Sequence, residues 1–310
     1  MALKRNVLIF HSGALGDFVL SWPLALAFGR LFAQSRVFYV TAAQKGRLAD
    51  KVLRIESVDA ETGWHGLHAD PAAGPPALPD VPARLLAGAH TVAGFVAGPG
   101  STWERNVRAA APGAELLAMA AHPPPGFAGH HTEFLLQQLA PMVVWQRGVE
   151  QMLASVRQRG LGVEPTPGGP IVIHPGAGSP DKCWPADRFV ELTKRLAAAG
   201  RAVRFVVGEV ELERWSPARL DALAAVAELR RPNALVGLLE ALAGASAFVG
   251  NDSGPGHLAA MLGLPTISLF GPTDPAVWRP VGPRVTVIRG EAMDGVGVDE
   301  VIAATAAAAP

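Results

Sequence analysis

Asn251-Asp252-Ser253-Gly254-Pro255-Gly256-His257 ends an apolar run, Phe248 to Gly250, and opens a helical pattern. Pro255 suits the first turn because its missing N–H would be unpaired there anyway, and Asp252 or Ser253 can cap the end. Such a helix start offers free backbone N–H groups and the positive end of the helix dipole, which together seat a phosphate or diphosphate. A second apolar run ends soon after, at Leu269-Phe270-Gly271-Pro272-Thr273, and predicts another polar, glycine-containing loop beside the first. His174-Pro175-Gly176-Ala177-Gly178-Ser179-Pro180-Asp181-Lys182 also joins strand to helix. Its glycines permit close backbone approach to a ligand. Lys182 stands near a helix start, where the dipole disfavours a cation. That conflict points to an anion for Lys182 to serve, as a point-charge phosphate ligand would.

The other candidates are weaker. His11-Ser12-Gly13-Ala14-Leu15-Gly16-Asp17 follows the first apolar run with a Gly-x-x-Gly spacing, which is not the dinucleotide fingerprint. A glycine-containing turn at a strand end still opens onto the crevice where α/β sheets bind ligands. Asp17 either complements the dipole of the next helix or aims a carboxylate at a substrate proton, and both roles stay open. Glu209, Glu211 and Glu213 put three carboxylates at another strand end; one could bind a ribose hydroxyl, though acids are common at helix starts. His257 lies one turn into its helix and can face diphosphate or core. Cys183 reads as a packing residue. No His, Cys, Asp and Glu set has metal-ligand spacing, and His130-His131 and His65-x-x-His68 are expected to face solvent.

The elements that position these residues alternate. Strands are expected at 6–10, 36–40, 91–96, 116–120, 171–174, 202–207, 247–250, 266–270 and 285–288, and helices at 17–32, 43–53, 132–142, 185–199, through about 227, 234–243, 255–262 and 299–308. Residues 59–82 read as a long irregular loop. Strand–helix alternation implies parallel sheets covered on both faces. The Pro/Gly run Glu164 to Pro170 reads as a linker, so two Rossmann-like domains facing a cleft are expected, 1–164 and 165–310, with the last helix free to pack back on the first. Lys and Arg together number 27, as do Asp and Glu, which argues against the basic stripe a nucleic-acid partner needs. The single cysteine fits a reducing compartment, and Asp17 interrupts the apolar start where a signal peptide would continue.

Together, Gly16-Asp17, His174-Pro175-Gly176-Ala177 with Lys182-x-Trp184-Pro185, Asn251-Asp252-Ser253-Gly254-Pro255-x-His257 and Phe270-Gly271-Pro272-Thr273 resemble the glycosyltransferase family 9 heptosyltransferases, bacterial enzymes that build the lipopolysaccharide core. The resemblance implies an α/β GT-B fold with acceptor on the amino-terminal domain, at the Gly13–Gly16 turn, and nucleotide-sugar on the carboxyl-terminal one. It implies inverting transfer of heptose from ADP-L-glycero-D-manno-heptose to a lipopolysaccharide-core or other lipid-linked glycan, without metal or cofactor. The catalytic aspartate falls on Asp17 and the phosphate-binding lysine on Lys182. The diphosphate loops fall on Gly176, Ala177, Gly178 and Ser179 and on Asp252, Ser253 and Gly254, followed by His257. The ribose-binding acid falls on Glu211, with Glu213 close enough to compete. The chain departs from the family at His11, where Arg or Lys is usual. A cytoplasmic protein is expected, with weak membrane contact through Trp64, Phe95, Trp103, Arg105 and Arg108. The rival readings are a transferase or epimerase using another nucleotide-sugar and a non-catalytic sugar-nucleotide-binding protein.

Overall fold

Each half of the chain closes one parallel sheet, as the alternation of apolar runs and helical patterns requires. The computed structural model describes residues 5–309; Met1 to Lys4, the basic start of the sequence, and Pro310 lie outside the described residues. The first unit runs to Phe127 and resumes from His131 to Met152. Its strands are β1 (Asn6–Phe10), β2 (Arg36–Thr41), β3 (Glu56–Asp59), β4 (Ala89–Gly94) and β5 (Glu115–Ala118), in the order β3-β2-β1-β4-β5. Its helices are α1 (Leu15–Leu20), α2 (Trp22–Leu31), α3 (Ala43–Leu53), α4 (Asp80–Ala87), α5 (Thr102–Ala110), α6 (His131–Gln138) and the first part of α7 (Val143–Arg159). Leu8, Phe10, Phe38, Val40, Trp64 and Trp103 share its core, where the Phe10 ring meets Trp64 and Trp103 edge-on at 5.0 and 5.3 Å. Gly94 has no side chain because a Cβ there would fall 2.2 Å from the Trp103 ring.

The second unit takes in Ala128–His130 and everything from Leu153 onward. Its strands are β6 (Ile171–His174), β7 (Val203–Val206), β8 (Glu228–Arg230), β9 (Ala247–Asn251), β10 (Thr266–Phe270) and β11 (Val285–Arg289), in the order β11-β10-β9-β6-β7-β8. The helices are α8 (Ala186–Ala198), α9 (Glu209–Arg214), α10 (Pro217–Ala224), α11 (Leu235–Leu242), α12 (Gly254–Leu262), α13 (Pro275–Trp278) and α14 (Val298–Ala308). β6, β9 and β10 are buried along their whole length, as central parallel strands must be. Both sheets reverse their strand order between their first and fourth strands, at β1/β4 and β6/β9. Loops leaving the carboxyl ends of strands at such a switch point diverge to opposite faces and open a crevice. The loops after β1, β6 and β9 carry most of the candidate residues, and Glu211 and Glu213 follow β7.

Three expectations change. The single helix expected over 17–32 is two, because Pro23 in the first turn of α2 has no N–H to offer the Val19 carbonyl; at the break Ser21 Oγ donates to the Phe18 carbonyl at 2.7 Å. Within the expected irregular stretch, short helical turns form at His65–His68 and Pro71–Ala73, and α4 begins before its end. The Pro/Gly run is inside the second unit, with Thr166 N–H donating to the Ala245 carbonyl and Ser246 N–H to that of Pro170. The changeover falls earlier, between Met152 and Leu153, within the continuous helix α7. The closing helix α14 packs on α8, with Val301 in the second core.

Candidate functional site

In the second unit, Asn251 at the end of β9 ties the switch-point loops together. It is fully buried. Its Nδ2 donates to the carbonyls of Pro175 and Gly176 at 3.0 and 3.1 Å, and its Oδ1 accepts from Trp184 N–H at 3.0 Å. The loop after β6 and the approach to α8 are thereby fixed against β9. The sequence motif contained Asn251, but nothing local marked it as the clamp.

The next residue, Asp252, is also buried. Its Oδ2 accepts from Lys182 Nζ and from Thr273 Oγ1, each at 2.8 Å. His257 Nε2 stands 3.9 Å from Oδ1, too long for a good hydrogen bond. Burial pushes the Asp252 carboxyl up, yet His257 and the Lys182 ammonium outweigh it and hold the group below the ordinary aspartate value. Asp252 therefore aims the half-exposed Lys182 across the start of α12. Ser253 occupies the N-cap position without making a capping bond, and among the described residues its buried Oγ and the buried Nδ1 of His257 have no hydrogen-bond partner. Such orphaned polar atoms at a helix start are what an anionic ligand would satisfy.

Glu211 is distinguished from its neighbours by geometry. It is buried in the first turn of α9, whereas Glu209 and Glu213 are exposed. Oε2 accepts from Gly208 N–H at 2.8 Å, and Oε1 lies 3.8 Å from His174 Nε2. His174 Nδ1 donates to the Val206 carbonyl at 2.9 Å, so its Nε2 presents a lone pair towards Glu211. Burial lowers the His174 pKa against the pull of the Glu211 charge. A Cβ on Gly176 would fall 1.9 Å from Glu211 Oε1, so the loop can approach only as glycine. Ala177 is buried beside it, Gly178 and Ser179 reach outward, and Arg214 Nη1 donates to the Gly178 carbonyl at 3.2 Å. Cys183 packs against the Ser179 carbonyl, and burial pushes its thiol pKa up, as for a packing residue.

In the first unit Asp17 occupies the first turn of α1, and its Oδ2 accepts from Ala14 N–H at 3.2 Å. His122 Nε2 meets the same oxygen at 3.2 Å. Lys45 Nζ donates to the Gly13 carbonyl at 2.6 Å, so a cation not apparent from the motif stands beside this turn. A Cβ on Gly13 would lie 3.0 Å from His11 Cε1 and 3.1 Å from Asp17 Oδ2, a tight fit for any side chain; Gly16 precedes Asp17 within α1. His11 is buried between Phe18 and Phe95. Burial, then the Lys45 charge, pushes its imidazole down to about 3, so it is neutral. His65 and His68 are exposed as expected, but His130 and His131 are buried, their Nε2 atoms against the Arg279 and Ala121 carbonyls at 2.8 and 2.9 Å. Among the described residues no group of three His, Cys, Asp or Glu side chains is placed to hold a metal ion.

Two Rossmann-like units, each with a parallel sheet whose switch-point loops carry candidate residues, define the α/β GT-B class. The chain belongs to glycosyltransferase family 9 (heptosyltransferase), whose model matches residues 141–298. The lipopolysaccharide heptosyltransferase 1 of Pseudomonas aeruginosa is 42% identical over 110 residues, covering 35% of this chain and 31% of that one. The chain spans about a third of the length of the curated relatives it matches. The solved structure of E. coli heptosyltransferase WaaC with ADP has a TM-score of 0.65 at 16% identity, covering 98% of this chain and 100% of that one. A glycosyl transferase family 9 protein from Veillonella parvula gives 0.69 at 16% identity, over 99% and 98% of the two chains. At these identities the likeness is one of fold.

Proposed function

We propose that this protein is an inverting glycosyltransferase that moves heptose from ADP-L-glycero-D-manno-heptose to a lipopolysaccharide-core or related glycan. The observation that carries this reading is the Lys182–Asp252–Thr273 cluster at the start of α12, beside the unpartnered Ser253 Oγ. It gathers an aimed ammonium, the positive end of the α12 dipole and a buried hydroxyl where a diphosphate would sit. The names of the relatives supply the sugar and the acceptor class, and WaaC solved with ADP supplies the nucleotide.

In this reaction the acceptor oxygen bonds to the anomeric carbon as the bond from that carbon to the diphosphate breaks. Asp17 takes the hydroxyl proton. A carboxylate is a weak base for an alcohol, but the hydroxyl becomes acidic only as the new bond forms. Lys182, the α12 start and the Gly176–Ser179 loop receive the charge on the departing ADP, which is the task a divalent metal performs elsewhere. Glu211 accepts a ribose hydroxyl.

Transfer to a heptose-free core acceptor should fall by roughly 10²–10⁴-fold in Asp17→Ala, the usual contribution of a positioned acid or base, and should survive EDTA in the unaltered protein. ADP affinity should hardly change, since Asp17 is in the first unit. Full transfer by Asp17→Ala would remove that residue from the mechanism.

No helix among the described residues is long and apolar enough to cross a membrane. We place the protein in the cytoplasm, in weak contact with the inner membrane face where a lipid-linked acceptor lies. Trp64, Phe95 and Trp103 are core residues, exposed by 5% or less. They take no part in that contact, which leaves exposed Arg105 and Arg108 to make it.

A further inference from the structure

His122 belongs to none of the motifs above. It lies in the segment between β5 and α6, yet it reaches back 105 residues to place Nε2 at 3.2 Å from Asp17 Oδ2. A carboxylate only accepts, so Nε2 carries the hydrogen and donates. The other hydrogen bond to this side chain, from Ala14 N–H, falls on the same oxygen. Among the described residues, both hydrogen bonds to the Asp17 carboxylate are therefore on Oδ2, and Oδ1 is left open. The Ala14 contact is one that any acid in the first turn of a helix makes. The His122 contact is not explained by helix formation: it comes from a distant segment, through an imidazole that is 58% exposed.

We propose that His122 is a positioning residue for Asp17, holding Oδ2 through its Nε2–H so that Oδ1 is the oxygen that receives the acceptor proton. This rests on the reading of Asp17 as the base. A carboxylate held at one oxygen keeps the other in a fixed direction, and orientation of a reacting group is worth orders of magnitude in rate. Lys45 holds the same turn through the Gly13 carbonyl, so the loop and the carboxylate are held by different side chains.

The test uses the full chain, ADP-heptose and a heptose-free core acceptor. His122→Ala should lower kcat by about ten- to a hundredfold, the range for a lost hydrogen bond to a charged group. Donor KM, ADP affinity and Tm should stay unchanged, because the side chain is exposed. His122→Gln, whose amide N–H can reach the same oxygen, should recover most of the rate. The double variant Asp17→Ala/His122→Ala should be no slower than Asp17→Ala alone, as expected for residues acting through one another. Normal transfer by His122→Ala beside an inactive Asp17→Ala would overturn the positioning role and leave the base in place. Losses that multiply in the double variant would overturn it too. Full transfer by Asp17→Ala would overturn both readings.

Discussion

Two glycines in one loop illustrate how closely the donor side is built around single atoms. At Gly176 an added methyl would collide with Glu211 Oε1, and Glu211 is held in turn by Gly208 N–H. At Gly178 the same methyl meets nothing within 4 Å. Gly176→Ala should therefore destabilise the protein by about 1–3 kcal/mol, the usual cost of overpacking, and weaken ADP binding by displacing Glu211. Gly178→Ala should stay within about 0.5 kcal/mol. Urea denaturation and calorimetry with ADP would show both; equal behaviour of the two variants would mean that Glu211 moves aside freely and does not define the pocket. Lys182 and Asp252 make the complementary point. The sequence marks each as a phosphate-loop residue, but their 2.8 Å contact joins positions 70 apart and was not readable. The preference for Glu211 over Glu213, which came from the resemblance, has a local reason as well: Gly208-x-x-Glu211 has the spacing of a capping box, and the acid at its fourth position turns inward.

The central elements were legible because their patterns are strong. β1, β6 and β10 match the apolar runs residue for residue, and α3 matches its helical spacing. The elements that escaped have weak patterns for identifiable reasons. α5 buries only Trp103, Asn106 and Val107, one of them polar, so its apolar stripe is short. β8 reads Glu-Leu-Arg because it is an edge strand whose charges pair with Arg204 and each other. α7 passes from one unit to the other, with Val149 and Met152 buried before the changeover and Leu153 and Val156 buried after it, so no single apolar stripe marks its course. The clamp at the end of β9 is an element-scale device that depends on amide chemistry. Asn251→Asp would turn a donor into an acceptor against the Pro175 and Gly176 carbonyls. It should cost about 3 kcal/mol or more, from two lost bonds and two carbonyls left unsatisfied. Asn251→Ala should cost no more than this. A urea midpoint for Asn251→Asp equal to that of the unaltered protein would show that the loop after β6 is held by other contacts.

At the scale of the molecule, zero formal charge and a buried set of first-unit aromatics leave little to draw the protein to a bilayer. Arg108 is further engaged by Glu104 at 2.7 Å. Flotation with acidic liposomes should show weak binding at low salt that disappears near physiological ionic strength, where the Debye length is about 8 Å. Binding that resists salt would point to an apolar surface instead of these arginines.

The route of the chain has a consequence in time. Residues 128–130 belong to the second unit although they interrupt the first, and His130 is anchored there by the Arg279 carbonyl, 149 residues later. At a synthesis rate of about 5–20 residues per second, the ribosome delivers that carbonyl roughly 7–30 s after the imidazole. Every strand of the first sheet has been made before His130, so that unit can assemble around a short excursion whose destination has not yet been translated.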